Sequence, residues 1–360
     1  MPHKKTDSAP LPRRARHSDV AKRAGVSPAT VSKVMTGRES DRISEETRER
    51  VLAVVSELNY VPRSAVREMQ TGRTGRIGVL LTHPAAFGNM DPYHLGILSG
   101  ILSKAFDYRR NTLLYTALEP GADTLRQELL GGGADAVIAV GNVWTPLVEE
   151  VVTRANLPVV YVSVLPGEAT TPRSVPYFGV DCDNEAGGRL GITHLTDLGH
   201  RRIAVIRGRV ASNASFVQER IAGAMATADE ATANLELVEY KAMEEVIKRV
   251  ADGAPDAPSA FFFIEGENIL GELYDDFLPR YGLSVPRDLS IVTFNSTMMS
   301  EYASVPTTSV RQPLQEIGET AVRILAEFLA AGASADHGRR TVVRLPVSLE
   351  IRASTAPVNR

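Results

Sequence analysis

The stretch that most limits what this chain can become runs from Ser18 to Met35, Ser-Asp-Val-Ala-Lys-Arg-Ala-Gly-Val-Ser-Pro-Ala-Thr-Val-Ser-Lys-Val-Met. It spells two short helices and the turn between them. Ser18 is placed to cap the first helix, and Gly25 supplies a left-handed residue that ends it without a Cβ penalty. Ser27 caps the second helix, with Pro28 at its first position, where a missing N–H costs nothing. Val20, Ala21 and Ala24 can meet Val31 and Val34, and the alanines let the two axes approach closely. Ala29, Thr30, Ser32 and Lys33 are then left facing outward. A helix start that is small and polar and ends in one long cation suits the major groove of DNA, where side chains slide between phosphates to reach base edges.

An ordinary helical hairpin facing water is the alternative, and the distribution of charge opposes it. Residues 1–75 hold 15 Lys and Arg against 9 Asp and Glu, whereas residues 76–360 hold 25 against 34. The net charge of −3 therefore hides a basic head on an acidic body. Such a head gains affinity for a polyanion by counterion release, while the body is kept from sticking to the same polymer.

At 360 residues, 43% of them hydrophobic, the chain can form two or three domains with large cores. It contains no run of about 18 apolar residues to span a bilayer and no secretory leader, so a cytoplasmic protein is expected. Cys182 is the one cysteine, and the seven histidines show no ligand spacing. Neither a disulfide nor a metal site is expected, and no cofactor.

Residues 1–16 carry three prolines and several cations and read as a disordered basic arm. Ser44 caps a third helix with Glu45 and Glu46 in its first turn, and Val51, Val54, Val55 and Leu58 form one apolar stripe. The helix-turn-helix domain thus spans 17–62. Residues 63–75 follow as a hinge helix and linker, too short to be helical alone in water. Met69 is apolar in a polar segment, one turn from Ala65 and Val66, and such a wedge can enter a minor-groove base step.

From Arg76 short β-rich runs alternate with helix-length segments. Ile77–Thr82, Leu113–Leu118, Ala136–Val140, Val159–Val162 and Phe178–Asp181 form one series. Ile203–Arg207, Glu236–Tyr240, Ala260–Ile264 and Ser290–Phe294 form another. This alternation predicts an α/β body of two doubly wound lobes over 76–353, with a short tail at 354–360. Ligands in such sheets sit beyond the strand C-termini, which directs attention to the loops starting at Thr82, Gly141, Arg207, Glu265 and Asn295.

With these pieces in order, residues 17–353 resemble the lactose-repressor and galactose-repressor family of bacterial transcription regulators. The resemblance rests on Asp19-Val-Ala-Lys-Arg-Ala-Gly-Val-Ser27, Ala29-Thr-Val-Ser-Lys-Val34, Ser44-Glu-Glu-Thr-Arg48 and Asn59-Tyr-Val-Pro62. Body markers are Thr71-Gly-Arg-Thr, Ile77-Gly-Val, Asn184-Glu-Ala-Gly-Gly188, Leu198-Gly-His-Arg-Arg-Ile-Ala204 and Val310-Arg-Gln-Pro313. It implies a small all-α helix-turn-helix head and a body like periplasmic sugar receptors, serving for effector binding and dimerisation. It also implies a homodimer on a near-palindromic double-stranded DNA operator, acting as a repressor under allosteric control by a sugar or related metabolite.

The resemblance places Pro28, Ala29 and Lys33 at base-choosing positions and Met69 where the family usually carries a leucine wedge. Thr30, Ser32 and Arg67 complete the DNA-contact candidates. Tyr93 and His94 match a wall of the effector cleft, and Arg220 matches an arginine that grips a polar ligand atom. Asn295 stands where aspartate is usual, and Glu265-Gly-Glu267 departs from the usual Asn-Asp. Trp144 is added from its loop position.

Three other readings fit less well. An enzyme lacks a Gly-x-Ser-x-Gly elbow or phosphate loop, and Gly131-Gly-Gly133 reads as a helix stop. A solute receptor would carry a leader in place of the basic head. An architectural DNA-bending protein would bind all sequences alike.

Overall fold

The computed structural model describes residues 15–36, 43–60, 72–81, 91–115, 123–141, 150, 153–155, 157–165, 176–208, 214–332 and 339–358. They fall into two units, Met1–Thr74 and Gly75–Arg360. The expected arm over 1–16 lies almost wholly outside the described residues, as do the expected hinge helix with Arg67 and Met69, and Trp144.

The first unit holds α1 (His17–Ala24), α2 (Pro28–Thr36) and α3 (Glu45–Glu57). Val20, Val31 and Val51, one from each helix, are fully buried and form its core with Ala21, Ala24, Val34, Val54 and Tyr60. Ser18 is not the cap of α1. The helix starts one residue before it, at His17, because the Asp19 carboxylate reaches back to accept the Arg16 N–H at 2.7 Å. Gly25 ends α1 at φ 66°, and the Val26 N–H closes the turn on the Ala21 carbonyl at 3.0 Å. Ser27 accepts the Thr30 N–H at 3.1 Å, and Ser44 accepts that of Thr47 at 3.3 Å. Arg50 ties α3 to the end of α1 by donating to the Ala24 carbonyl at 3.1 Å.

The second unit is built on two six-stranded sheets. Lobe 1 contains β1 (Arg76–Leu81), α4 (Pro92–Asp107), β2 (Asn111–Tyr115), α5 (Asp123–Leu130), β3 (Ala136–Val140), β4 (Val159–Val162) and β5 (Tyr177–Cys182). Lobe 2 contains α6 (Asn184–Asp197), β6 (Arg202–Ile206), α7 (Ser215–Glu230), β7 (Asn234–Val238), α8 (Met243–Ala251), β8 (Ala260–Phe263), β9 (Ser290–Asn295), α9 (Met298–Glu301) and β10 (Thr308–Arg311). The chain then returns to lobe 1 with α10 (Leu314–Ala331), which packs on α4, and β11 (Arg340–Leu345), and goes back to lobe 2 with β12 (Ser348–Glu350). Strand orders are β11-β5-β4-β3-β1-β2 and β12-β10-β9-β8-β6-β7. Every pairing is parallel except β10 with β12. The chain therefore crosses between lobes at β5–α6, β10–α10 and β11–β12.

The nine strands read from sequence are all present, with ends that move by at most three residues. Three went unread. β11 is a half-exposed edge and β12 has three residues, so neither shows an apolar run. β10 is buried but polar: the Thr308 hydroxyl pairs with that of Thr355 at 3.2 Å, and the Ser309 hydroxyl accepts from Thr293 at 2.9 Å. Gly131-Gly-Gly133 is the helix stop expected, with Gly132 at φ 80°.

Two helix pairs touch backbone to backbone. A Cβ on Gly223 of α7 would lie 2.0 Å from the Glu185 carbonyl oxygen of α6, and one on Gly188 would lie 2.1 Å from that of Arg220. This contact sets the depth at which α7 presents Arg220. Gly100 of α4 and Gly318 of α10 meet in the same way, at 1.9 and 2.2 Å from the opposing carbonyls. Among the described residues no helix is long and apolar enough to cross a membrane.

Candidate functional site

In the first unit, Pro28, Ala29 and Lys33 are exposed and Thr30 and Ser32 half-buried, while Val31 and Val34 turn inward. The start of α2 therefore presents small side chains around one cation, with nothing bulky to hold it off a groove. Thr30 is fixed by Ser27, whose hydroxyl lies 2.9 Å from its own.

In the second unit, a buried polar cluster forms where β5 ends and α6 begins. Arg220 is 4% exposed and donates from Nε to Asn184 Oδ1 at 2.8 Å and from Nη1 to the Ile264 carbonyl at 2.6 Å. Its guanidinium stacks 3.6 Å from the Phe294 ring centroid and 4.8 Å from that of Phe216. Asn184 Nδ2 donates to Asp181 Oδ2 at 2.8 Å, and Asp181 Oδ1 accepts the Cys182 N–H at 2.8 Å. Burial pushes the Asp181 carboxyl up to about 6, against the opposing pull of the Arg220 guanidinium and these hydrogen bonds. The same burial pushes the Cys182 thiol up to about 12, so it is an inert packing group. Arg344 closes the edge with two bonds to Glu219 at 2.6 and 2.8 Å.

Tyr93 reaches this cluster from lobe 1. Its hydroxyl donates to Ser163 after β4, and burial raises its phenol well above the usual range. His94 instead faces Asp91, with Nδ1 2.6 Å from Oδ2, in the first turn that Asp91 itself caps. Glu265 and Asn295 directly follow Ile264 and Phe294, the two residues that hold Arg220 from below. A Cβ on Gly266 would lie 3.0 Å from the Asn295 amide nitrogen, so the two loops abut. Asn295 sits at φ 103° and Ser296 at φ 57°, backbone conformations that cost a non-glycine residue on the order of 1–3 kcal/mol each. Gln312, at the β10–α10 crossover, secures Asn295 by donating to Oδ1 at 2.6 Å.

Glu267 underlies the same loops. It is 2% exposed and accepts from the Thr297 N–H at 2.8 Å, the Thr297 hydroxyl and the Ser300 hydroxyl at 2.8 Å. It thus ties the β8 loop to the β9 loop. The structure brings Tyr93, Arg220, Glu265 and Asn295 to one set of strand ends and directs His94 to its own helix cap. Sequence reasoning missed Asp181 as a site residue, saw Asn184 and Gln312 only as family markers, and saw Glu267 only as part of a departure from the family's pattern. An aspartate at the end of an apolar strand was the available signal.

A groove of about 780 Å³ lies beside this cluster, walled by the starts of α4 and α10 and by Ser296, Thr297 and Met298. None of the effector candidates lines it; Gln312 does. The strand-end cluster is the better candidate, because charged and orphaned groups converge there. No group of three or more His, Cys, Asp or Glu among the described residues could hold a metal ion.

A helix-turn-helix head joined to a two-lobed body with a polar cleft defines a DNA-binding regulator with a ligand-binding domain. Residues 18–63 match the family model for bacterial regulatory proteins of the lacI family, and residues 192–355 match a periplasmic binding protein-like domain. The HTH-type transcriptional repressor MelR of Bacillus subtilis (strain 168) is 29% identical over 354 residues, 94% of this chain and 97% of that protein. The HTH-type transcriptional regulator CelR of Thermobifida fusca is 29% identical over 325 residues, 86% of this chain and 90% of that protein. Among solved structures, a transcriptional regulator CelR–cellobiose complex aligns with a TM-score of 0.64 at 28% identity, covering 95% of this chain and all of that one. The lac repressor dimer bound to operator aligns with a TM-score of 0.72 over 96% of this chain and all of that one; at 24% identity it shows the fold. The chain thus joins a lacI-family DNA-binding head to a periplasmic-binding-protein-like domain, and it is a transcriptional regulator under effector control.

Proposed function

We propose that this chain is a cytoplasmic homodimeric repressor that binds a near-palindromic operator and is controlled by a sugar or related metabolite, without catalytic activity of its own. The observation that carries the reading is the start of α2, where Pro28, Ala29 and Lys33 are exposed on a helix whose other face is locked by Val31 and Val34. Pro28, Ala29, Thr30, Ser32 and Lys33 are assigned to the major groove, and Arg67 and Met69 to the minor groove at the operator centre. Twofold symmetry of the protein would match twofold symmetry of the site.

For the body, the cleft at the strand ends supports an effector role: Tyr93, Arg220, Glu265 and Asn295 assemble there. A regulator of this fold holds cellobiose. The three inter-lobe crossings act as a hinge, and closing the lobes on a ligand shifts the population of DNA-competent dimers. We assign residues 17–62 to DNA binding, 63–75 to the hinge and 76–353 to effector binding and dimerisation.

Sequencing the genomic fragments retained by the full chain tests this. The expected result is a small set sharing one inverted repeat. Retention of fragments in proportion to their abundance would favour the architectural alternative.

A further inference from the structure

The cleft contains an acceptor that no protein group satisfies. Glu265 Oε1 is buried and has no hydrogen-bond partner, although the residue directly follows Ile264, whose carbonyl accepts from Arg220. The neighbouring cations are engaged elsewhere. Arg220 gives Nε and Nη1 to Asn184 and Ile264, and Arg344 gives both its ends to Glu219. Arg207 gives Nη1 to Glu239 at 2.8 Å. Its neighbour Gly208 abuts Glu265 so closely that a Cβ there would lie 2.5 Å from Oε2. Glycine at 208 leaves room for the carboxylate and contributes no donor side chain.

A second orphan lies along the same row. Gln312 is 3% exposed; its amide nitrogen serves Asn295, and its Oε1 has no partner. Glu267, the other carboxylate on the β8 loop, is satisfied by the Thr297 N–H and two hydroxyls. At Glu265 Oε1 and Gln312 Oε1 the unmet demand is for donors, and at Glu265 a donor that carries positive charge answers it best. Glu265 is half-buried, but its Oε1 is shut from water, and a carboxylate oxygen left there without a donor costs more than a satisfied one, so the cleft stores a preference for a ligand bringing both N–H groups and charge.

We propose that the effector is an amino sugar, whose protonated amine docks on Glu265. This rests on the reading of the body as a carbohydrate-binding cleft and narrows it. A neutral hydroxyl would satisfy one lone pair and leave the charge uncompensated. Hydrogen bonds to charged groups exceed neutral ones by enough that the amine should be preferred by about tenfold or more.

Calorimetric titration of the full chain with matched pairs tests the proposal: glucosamine against glucose, galactosamine against galactose, mannosamine against mannose. The amine of at least one pair is expected to bind about tenfold or more tightly than its neutral partner. Glu265→Gln should bring the two within about twofold. Neutral sugars binding as tightly as their amines would overturn the amine assignment and leave the carbohydrate cleft standing. An amine preference that survives Glu265→Gln would overturn the role of Glu265. Absence of binding by every member of the three pairs would overturn the proposal together with the reading it rests on.

Discussion

Gly223→Ala is the most informative single change in the body. The new Cβ would lie 2.0 Å from the Glu185 oxygen, 2.9 Å from its carbon and 3.2 Å from the Arg189 nitrogen. Ordinary contact begins near 3.4 Å, so α6 and α7 must separate by about 1.4 Å, and the opposing atoms are backbone that cannot swing aside. Overpacking of this kind costs about 1–3 kcal/mol beyond the roughly 1 kcal/mol that alanine gains in a helix interior. Arg220 lies one turn before Gly223, and the same displacement breaks its 2.8 Å bond to Asn184. Thermal unfolding should fall by roughly 2–12 °C, using about 2–4 °C per kcal/mol for a large domain, and effector affinity should fall with it. Gly271→Ala is the control, because nothing lies within 4 Å of a Cβ there. It should leave stability unchanged or raise it slightly. Equal stabilisation by the two changes would refute the claim that the helix contact sets the position of Arg220.

Asp181 gives a pH signature. Its carboxyl is raised from 3.8 to about 6 by burial, so its contribution to stability is full below 3.8, declines as the pH rises and is lost above about 6. Denaturant melts of wild type and Asp181→Asn should show wild type losing ground to the variant across that window; a constant difference would dismiss the shifted carboxyl. Ser27→Ala removes the acceptor of the Thr30 N–H at 3.1 Å and should cost the head about 1 kcal/mol, read by the melt of the helical signal and by weaker operator binding. Met69→Ala should weaken binding to the operator with little change on random duplex, and an unchanged operator affinity would remove the wedge assignment.

The head was legible in the sequence because local chemistry dictates it: Gly25, Ser27, Pro28 and Ser44 punctuate helices, and the valines have helical spacing. Its one error, the cap at Ser18, arose because Asp19 competes for the cap from inside the helix. The lobes were legible from apolar strand runs. β10 was not, because Thr308 and Ser309 are buried through hydroxyl pairs that no hydropathy pattern shows. The cleft was half legible. Tyr93, Arg220, Glu265 and Asn295 were named, but Glu267 and Gln312 are polar residues held by contacts distant in sequence, and Asp181 is bonded within its own strand-to-helix turn. Gln312 meets Asn295 only because β10 runs beside β9 and the chain then leaves for the other lobe.

Competition binding at fixed salt, with a fragment selected from the genome set against its base-scrambled counterpart, tests most directly whether the head reads sequence. The selected fragment should bind about a thousandfold more tightly or better, and Lys33→Ala should change which base is preferred within it. Equal affinity for both duplexes would contradict the assignment of α2 to base edges and, with it, the regulator.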